Sequence, residues 1–336
     1  MGNKNRYIVT GAAGFIGYSL VKRLLSSENS ILAIDNISPY YSQDLKRDRI
    51  ASLEEHSKLL NLKSENYHFH ELDIRNFNAI DKIISEFKPH YICHLAAQAG
   101  VRYSIDNPLD SIDNNITPTL NLLESAKNNG VKDFIFASSS SVYGKNLEMP
   151  FTEKLNPTTP ISVYASSKAA CEAICHSYNH NYQIRFRILR FFTVYGPWGR
   201  PDMSYFLFTK SILNGKSIDV FNNGDMFRDF TYIDDIVNGV VACTFEPPKP
   251  NKMAVPFSVF NIGNNNGENL MEFIKIIEKE LGKDAIIDFI PQQPGEVLET
   301  CADSSSAERA FGFSSKIDIS EGIPLFIEWY REYYDV

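Results

Sequence analysis

Short apolar runs alternate with helical patterns through the first half of the chain. The runs are four to six residues long and rich in Val, Ile and Phe, which is typical of strands buried on both faces. Helical patterns lie between them at 18–25, 77–87 and 117–128. We predict strands at 7–10, 31–35, 67–72, 91–95, 134–137 and 187–192. Strands separated by helices predict a parallel sheet, and right-handed crossovers make it a doubly wound α/β (Rossmann) fold.

The composition and the pattern of the sequence change near Gly196, where Pro- and Gly-rich loops and shorter predicted elements begin. We predict a Rossmann domain over 1–195 that carries the catalytic residues, and a smaller C-terminal substrate-binding lobe over 196–336. Whether the chain crosses between the lobes is left open. Because no low-complexity linker joins them, we expect the lobes to pack against each other.

Composition and charge narrow the class of function. Of the 336 residues, 43% are hydrophobic and 22% charged, as in ordinary soluble proteins. The formal net charge of −8 argues against nucleic-acid partners and polybasic membrane binding. The sequence has no apolar stretch long enough to span a bilayer and no signal-peptide pattern at its start. Five scattered cysteines without a Cys-x-x-Cys pair predict a reduced, cytoplasmic protein with no metal site.

A glycine-rich segment, Gly11-Ala-Ala-Gly14-Phe-Ile-Gly17, follows the first strand and opens a helix. Such glycines allow a tight turn and close approach to a pyrophosphate, whose charge the helix N terminus stabilises. Asp35 ends the second strand, where a carboxylate can bind the adenosine ribose and repel a 2′-phosphate. Later strands end near Asp73-Ile74 and the small residues at 95–100, facing the same crevice. The pattern predicts dinucleotide binding and favours NAD over NADP.

A second group of residues carries acid–base chemistry. Tyr164 and Lys168 are four apart on a predicted helix and therefore share one face. An ammonium beside a phenol stabilises the phenolate that a general base requires. The serines at 138–141 follow a strand end and can donate hydrogen bonds to a substrate oxygen. Beside a dinucleotide loop, this set indicates hydride transfer at a carbinol.

These motifs give the chain a family resemblance over essentially its whole length. It resembles the extended short-chain dehydrogenases/reductases in Gly11–Gly17, Asp35, Asp73-Ile74, Ser139 and Tyr164-x-x-x-Lys168. Its segment Arg228-Asp-Phe-Thr-Tyr-Ile-Asp-Asp235 is similar to that of NAD-dependent nucleotide-sugar epimerases and dehydratases. Two more segments, His94-Leu-Ala-Ala-Gln-Ala-Gly-Val-Arg102-Tyr-Ser and Thr193-Val-Tyr-Gly-Pro-Trp-Gly-Arg200-Pro-Asp, look like those of UDP-glucuronate 4-epimerases.

The resemblance implies a 4-epimerase, an isomerase that keeps its NAD. It implies that Tyr164 takes the proton of the sugar C4 hydroxyl, that Ser139 binds the C4 oxygen, and that Lys168 holds the phenol and the nicotinamide ribose. Hydride leaves C4 and returns to the other face of a transient 4-keto sugar. The predicted cofactor-binding residues are Gly11, Ala13, Gly14, Phe15, Ile16, Gly17, Asp35, Asn36, Asp73, Ile74, Leu95, Ala96, Ala97, Gln98, Asn114, Tyr164 and Lys168.

Departures from related patterns point to a uronic acid. Family members that dehydrate a hexose have an Asp-Glu pair where this chain has Ser140 and Ser141, and decarboxylating relatives have Glu at the Ser141 position. Galactose epimerases usually have Asn where this chain has Thr193. The remaining hydroxyls and the Arg200 guanidinium suit a substrate carboxylate. Alternatively, Arg200 holds a loop or the diphosphate.

The other substrate contacts are expected in and near the second lobe. The resemblance places the diphosphate near Arg228, with Arg102 second, although Arg228 could instead pair with Asp229 or Asp235. Uracil is expected near Val220, Phe221 and Asn222, and the nucleotide ribose near Glu296.

Two other functions stay open at this stage. One is a UDP-glucose or UDP-N-acetylglucosamine 4-epimerase. The other is a catalytically silent protein that senses NAD, although such a protein need not keep Ser139, Tyr164 and Lys168 together. By analogy with the superfamily, we expect a homodimer whose helices at 117–128 and 165–179 pair across a two-fold axis.

Overall fold

The structure is a computed structural model of the protein. It describes residues 4–26, 29–146, 148–245, 255–291 and 297–336. The strands in these residues are β1 (Arg6–Thr10), β2 (Ser30–Asp35), β3 (Tyr67–Glu71), β4 (Tyr91–His94), β5 (Asp133–Ser139), β6 (Arg185–Phe191), β7 (Thr193–Tyr195), β8 (Ser217–Phe221), β9 (Phe227–Tyr232), β10 (Phe257–Ile262), β11 (Gly267–Asn269) and β12 (Ile286–Ile290). The helices are α1 (Phe15–Leu25), α2 (Gln43–Leu59), α3 (Phe77–Phe87), α4 (Tyr103–Asp106), α5 (Pro108–Asn128), α6 (Val163–Tyr182), α7 (Ser204–Leu213), α8 (Ile233–Phe245), α9 (Leu270–Leu281), α10 (Ser305–Phe311) and α11 (Ile319–Tyr334).

Seven parallel strands form the central sheet in the order β10-β6-β5-β4-β1-β2-β3. The chain runs outward from β1 to β3 and then returns to place β4 on the other side of β1. This reversal opens a crevice at the carboxyl ends of β1 and β4, where doubly wound folds bind ligands. Apolar side chains form a core on each face of the sheet. The predicted fold class is confirmed.

The sequence located the strands well and the helices unevenly. Each of the six predicted strands is present within two residues at either end, and α3 has the predicted bounds. Helix α5 begins nine residues before the predicted start, because Pro108 at its first position is compatible with a helix N terminus. Helix α2 was not predicted, since two cations, Lys46 and Arg49, interrupt the apolar residues of its buried face.

Residues after 196 contribute to two structures. One is a region built on two small sheets, β11-β9-β7 and β12-β8, in which β7 precedes Gly196, with α7, α9 and α11 packed around them. The other is the central sheet itself, because β10 pairs with β6 at its edge and α8 packs against α1. The division into lobes at 195/196 stays a prediction. Among the described helices, none combines the length and hydropathy needed to cross a bilayer.

Candidate active site

A cavity of about 930 Å³ opens at the strand reversal, between the central sheet and the region after 196. All of the predicted cofactor-binding residues except Ala13 line it. So do most of the predicted substrate-binding residues: Arg102, Ser139, Ser140, Ser141, Thr193, Arg200, Phe221 and Arg228. The fold therefore brings the two predicted groups to one site.

The glycine loop between β1 and α1 is shaped for close contact with an extended ligand. Gly11 has φ +71°, and a Cβ there would lie 2.7 Å from the backbone nitrogen of Ala96. A Cβ on Gly17 would overlap the carbonyl oxygen of Gly11. Gly14 is the N-cap of α1, an 11-residue helix whose N terminus faces the cavity. The bare backbone and the helix N terminus fit the pyrophosphate of a dinucleotide.

Asp35 lies at the end of β2 with its carboxylate fixed by two backbone donors. The N–H of Ala13 donates to Oδ2 at 3.0 Å, and the N–H of Ile37 donates to Oδ1 at 2.8 Å. Burial raises the pKa of Asp35, and these donors oppose that shift. Ala13 does not line the cavity: its side chain is fully buried, and its N–H is occupied by Asp35.

Asp73 lines the cavity and forms an ion pair with Arg75. Its carboxylate accepts hydrogen bonds from Nε and Nη2 of Arg75, the latter at 2.6 Å, and from the amide of Asn36 at 3.4 Å. The hydrogen bond from Arg75 lowers the pKa of Asp73. The predicted contact of Asp73 with adenine stays a prediction, and that contact would share the carboxylate with Arg75.

At the end of β4, a buried histidine contacts two threonines that the sequence analysis did not single out. His94 lies fully buried between two hydroxyls, with Nδ1 2.8 Å from Oγ1 of Thr10 and Nε2 3.0 Å from Oγ1 of Thr119. Burial lowers the pKa of His94 to about 3, so the ring is neutral. The adjacent hydrogen bond from the N–H of Ala96 to Thr10 continues this network toward the cavity wall.

Of two adjacent asparagines on α5, the sequence analysis chose the one with the smaller structural role. Asn114 lines the cavity and donates to the carbonyl of Asp110. Asn115 is buried; it accepts from the N–H of Gln98 at 2.7 Å, and its amide lies 2.8 Å from Oγ of Ser167. It therefore ties the end of β4 to the catalytic helix. Only the periodicity of α5, which places Asn115 on the buried face, could have revealed this role.

The three predicted catalytic residues line the same side of the cavity. Tyr164 lies in the first turn of α6, which Ser162 caps by accepting the N–H of Ala165. Lys168 is almost fully buried, and its Nζ donates to the carbonyl oxygen of Ala137 at 2.7 Å. The Lys168 ammonium is thus anchored to β5, with further N–H groups available on the same nitrogen.

The four serines at 138–141 all line the cavity, but the hydroxyl of Ser138 is engaged by a buried carboxylate. Ser138 is buried and donates to Glu172 at 2.5 Å, so it is not a substrate donor. Ser139 lies 3.1 Å from the hydroxyl of Ser141 and accepts from its N–H, which turns both toward the cavity. Behind them, Glu172 forms a buried two-point ion pair with Arg190, at 3.0 and 2.7 Å.

Arg200 also lines the cavity and is paired within its own loop. Its Nε and Nη2 bind the two carboxylate oxygens of Asp202 at 3.0 and 2.5 Å. The hydroxyl of Tyr40 donates to the same carboxylate at 3.0 Å. One edge of the guanidinium is therefore occupied, and a substrate carboxylate would have to use Nη1 or share Arg200 with Asp202. The predicted role of Arg200 stays a prediction.

The residues predicted to hold the nucleotide are only partly brought together. The guanidinium of Arg102 stacks 3.8 Å from the centroid of the Phe221 ring. Arg228 donates to the carbonyls of Phe227 and Leu298, both at 2.9 Å. Glu296 lies outside the described residues.

Two residues predicted near uracil do not line the cavity. Along β8 the side chains alternate between core and exterior, which buries Val220 completely. Asn222 follows the strand, and its amide donates to the carbonyl of Asp225. Only Phe221 of this predicted trio faces the site.

Comparison with known proteins identifies the fold family. Residues 7–263 match the model of the NAD dependent epimerase/dehydratase family. The chain is 42% identical to Protein CapI of Staphylococcus aureus, covering 98% of this chain and 99% of that one. It is 39% identical to a probable UDP-glucuronate 4-epimerase of Rhizobium meliloti, covering 98% of each. The structure of a UDP-glucuronic acid 4-epimerase from Bacillus cereus, in complex with UDP-glucuronic acid and NAD, superposes with a TM-score of 0.87 at 36% identity, covering 98% of this chain and all of that one.

Proposed function

The chain belongs to the NAD dependent epimerase/dehydratase family, and we propose that it is a UDP-glucuronate 4-epimerase that interconverts UDP-glucuronate and UDP-galacturonate. The carrying observation is the composition of the cavity wall. Ser139, Tyr164 and Lys168 line a cavity that Thr193 and Arg200 also line. Hydroxyl and guanidinium donors of this kind bind a carboxylate, and near-full-length similarity to UDP-glucuronate 4-epimerases supports the assignment.

Each catalytic residue has a defined task at C4 of the sugar. NAD, when bound, would supply the hydride acceptor for C4 and, in its reduced form, the hydride donor; the glycine loop and Asp35 are the residues that would hold it. Tyr164 holds the C4 hydroxyl proton while the sugar is a ketone and returns it afterwards. Ser139 donates to the C4 oxygen. Lys168, anchored on the Ala137 carbonyl, stabilises the Tyr164 phenolate and binds the nicotinamide ribose.

The carboxylate must be held because the intermediate is unstable. A 4-keto hexuronate is a β-keto acid, which loses CO₂ when its carboxyl bond stands perpendicular to the carbonyl plane. Donors that keep the carboxylate out of that alignment preserve the intermediate until hydride returns. Ser140, Ser141, Thr193 and Arg200 are the residues proposed for this grip. At the positions of Ser140 and Ser141 the chain has no acid–base pair that could eliminate water.

A substrate panel tests the function. Purified protein is incubated separately with UDP-glucuronate, UDP-glucose and UDP-N-acetylglucosamine, and the products are separated by chromatography. We expect UDP-galacturonate from the first and little or no product from the other two. Faster turnover of either neutral sugar would establish the alternative epimerase. Absence of turnover on all three by protein that retains NAD would favour the catalytically silent alternative.

We further propose that the protein is a homodimer that pairs through α5 and α6. Helix α5 exposes Leu109, Ile112 and Leu120 on one side, and a soluble monomer rarely shows such an apolar row on one helix. The helices α5 and α6 pack on each other and could form a four-helix bundle with a second copy. Light scattering should give twice the chain mass, and Leu109→Glu with Leu120→Glu should give a monomer.

We also propose a cytoplasmic location. All five cysteines are free thiols and four of them are buried. Unpaired cysteines are typical of a reducing compartment. Cell fractionation with an antibody against the native protein tests this location.

A further inference from the structure

A fully buried arginine on α2 holds the glycine loop from behind. Nη1 of Arg49 donates to the carbonyl oxygen of Ala13 at 2.8 Å and to the hydroxyl of Tyr41 at 2.7 Å. The N–H of Ala13 donates in turn to Asp35. One residue of the loop is therefore fixed at both of its backbone polar groups, on one side by the predicted ribose acceptor and on the other by Arg49.

The second nitrogen of Arg49 holds the segment that carries Arg200. Nη2 donates to the carbonyl oxygen of Trp198 at 2.6 Å and to that of Gly199 at 3.1 Å. Arg200 is the next residue along the chain. The planar guanidinium thus bridges two segments that lie about 185 positions apart in the sequence, and its fork geometry fixes both their distance and their orientation.

The backbone held by Arg49 is in a conformation that a bulky residue avoids. Trp198 has φ +61°, in the left-handed region. Such a conformation persists only where its surroundings determine it, and it is found at binding sites more often than elsewhere. The indole packs within 5.5 Å of three rings, those of Tyr18, Trp329 and Tyr333. Together with Arg49, these rings determine the position of the backbone immediately before Arg200.

The head group of Arg200 is tied to the same part of the fold. Asp202 pairs with Arg200 and accepts a hydrogen bond from Tyr40, which is adjacent to the Tyr41 that binds Arg49. The backbone before Arg200 and the carboxylate beside its guanidinium are thus both positioned by the segment after β2. This segment also borders Asp35 and hence the cofactor end of the cavity.

We propose that Arg49 is the positioning residue for substrate selection: it fixes Trp198 and Gly199 against the glycine loop and so sets where the Arg200 guanidinium stands in the cavity. This inference rests on the proposed function, in which Arg200 binds a sugar carboxylate. Arg49 itself touches neither substrate nor cofactor. A lysine in its place keeps the charge but cannot span both segments with a fork of donors.

A double-mutant cycle tests the proposal. The dissociation constants of UDP-glucuronate and UDP-glucose are measured by titration calorimetry on the wild type, Arg49→Lys, Arg200→Met and the double variant, with a thermal melt of each. We expect Arg49→Lys to lower the preference for UDP-glucuronate by about 10-fold, the order of one charge-assisted hydrogen bond. In the Arg200→Met background the same change should alter the preference by less than about 2-fold, because its target is gone. Arg47→Lys, on the same helix but paired with Glu71 at the surface, is the matched control and should change neither value.

The outcomes separate this inference from the function on which it rests. If Arg200→Met lowers the preference but Arg49→Lys weakens both sugars equally, the function stands and the positioning role is wrong. An equal effect of Arg49→Lys on the preference in the wild type and in the Arg200→Met variant would also contradict the positioning role. If Arg200→Met leaves the preference intact, the proposed function fails and the role of Arg49 fails with it. Should Arg49→Lys not fold, Tyr41→Phe removes one acceptor of Arg49 and should shift the preference in the same direction by about 3-fold; no shift would contradict the proposal.

Discussion

The two walls of the cavity are held in place by different means. The catalytic wall, Ser139, Tyr164 and Lys168, lies on a strand end and a long helix, backed by the buried pair of Glu172 and Arg190. The selectivity wall around Arg200 lies on a loop, and a distant helix holds it by hydrogen bonds to backbone carbonyls. Chemistry common to a family can be fixed by regular elements, whereas a substrate preference can reside in a loop that a few contacts position. The two walls should therefore fail in different ways.

The largest effect is expected on the catalytic wall. Tyr164→Phe removes the general base and should lower turnover by roughly 10²- to 10⁴-fold. NAD content and melting temperature should stay unchanged, because the glycine loop is untouched. Tyr182→Phe, at the far end of the same helix, is the control and should retain full activity. Near-normal turnover by Tyr164→Phe would remove Tyr164 from its assigned role.

Breaking the support behind that wall should reduce stability. Glu172→Ala leaves the buried Arg190 guanidinium without its carboxylate and removes the acceptor of Ser138. Loss of one partner of a buried pair typically costs about 3–5 kcal/mol of the free energy of unfolding. Glu272→Ala breaks an exposed pair with Lys275 and should cost less than about 1 kcal/mol. Denaturant unfolding measures both, and similar losses would show that the buried pair is not a special support.

Asp35 lines the cofactor end of the cavity. Asp35→Ala removes the proposed ribose acceptor and the charge that disfavours a 2′-phosphate. NAD affinity should fall by roughly 10- to 150-fold, the value of a hydrogen bond to a charged group, and discrimination against NADP should relax. Dissociation constants for both dinucleotides test this. Unchanged dissociation constants would show that Asp35 serves only to accept the backbone hydrogen bonds of Ala13 and Ile37.

The smallest effect concerns His94, the last residue of β4, whose ring lies between the hydroxyls of Thr10 and Thr119. Its pKa is lowered to about 3 by burial, while the unfolded chain titrates near its ordinary value of 6.5. Between these values the unfolded state binds the proton more tightly, so stability is present above pH 6.5 and is lost as the pH falls toward 3. His94→Gln should remove up to about 1.4 kcal/mol per pH unit of this dependence. Parallel unfolding curves for the two proteins between pH 6.5 and 5 would contradict it.

The placement of the catalytic residues at the cavity could be predicted from the sequence for a physical reason. Tyr164 and Lys168 are one helical turn apart, and the glycine loop and Asp35 follow strands whose apolar runs are plain. Short-range periodicity therefore places them at one edge of a parallel sheet. Ala13, Val220 and Asn222 do not line the cavity, because side-chain direction within a loop or short strand depends on packing that local sequence does not specify.

The contacts that hold the selectivity wall in place could not be predicted from the sequence in this way. Arg49 lies on a helix whose buried face mixes cations with apolar residues, so hydrophobic periodicity gave only a weak indication of the helix. Its partners Trp198 and Gly199 are far away in sequence and contribute only backbone carbonyls, which every residue has. The pairing of Arg200 with Asp202 spans two residues but depends on how the loop turns. Contacts of this kind are determined only by the assembled fold.

The uronate assignment is tested most directly by Arg200→Met. Products from UDP-glucuronate and UDP-glucose are measured on the wild type and the variant, beside a thermal melt. We predict that turnover of UDP-glucuronate falls roughly 10- to 150-fold more than that of UDP-glucose, as expected for loss of a charge-assisted contact. Some UDP-pentose should appear, because a loosened keto acid can rotate into alignment and release CO₂. Equal losses on both substrates, without the decarboxylated product, would contradict the account and favour an epimerase of neutral sugars.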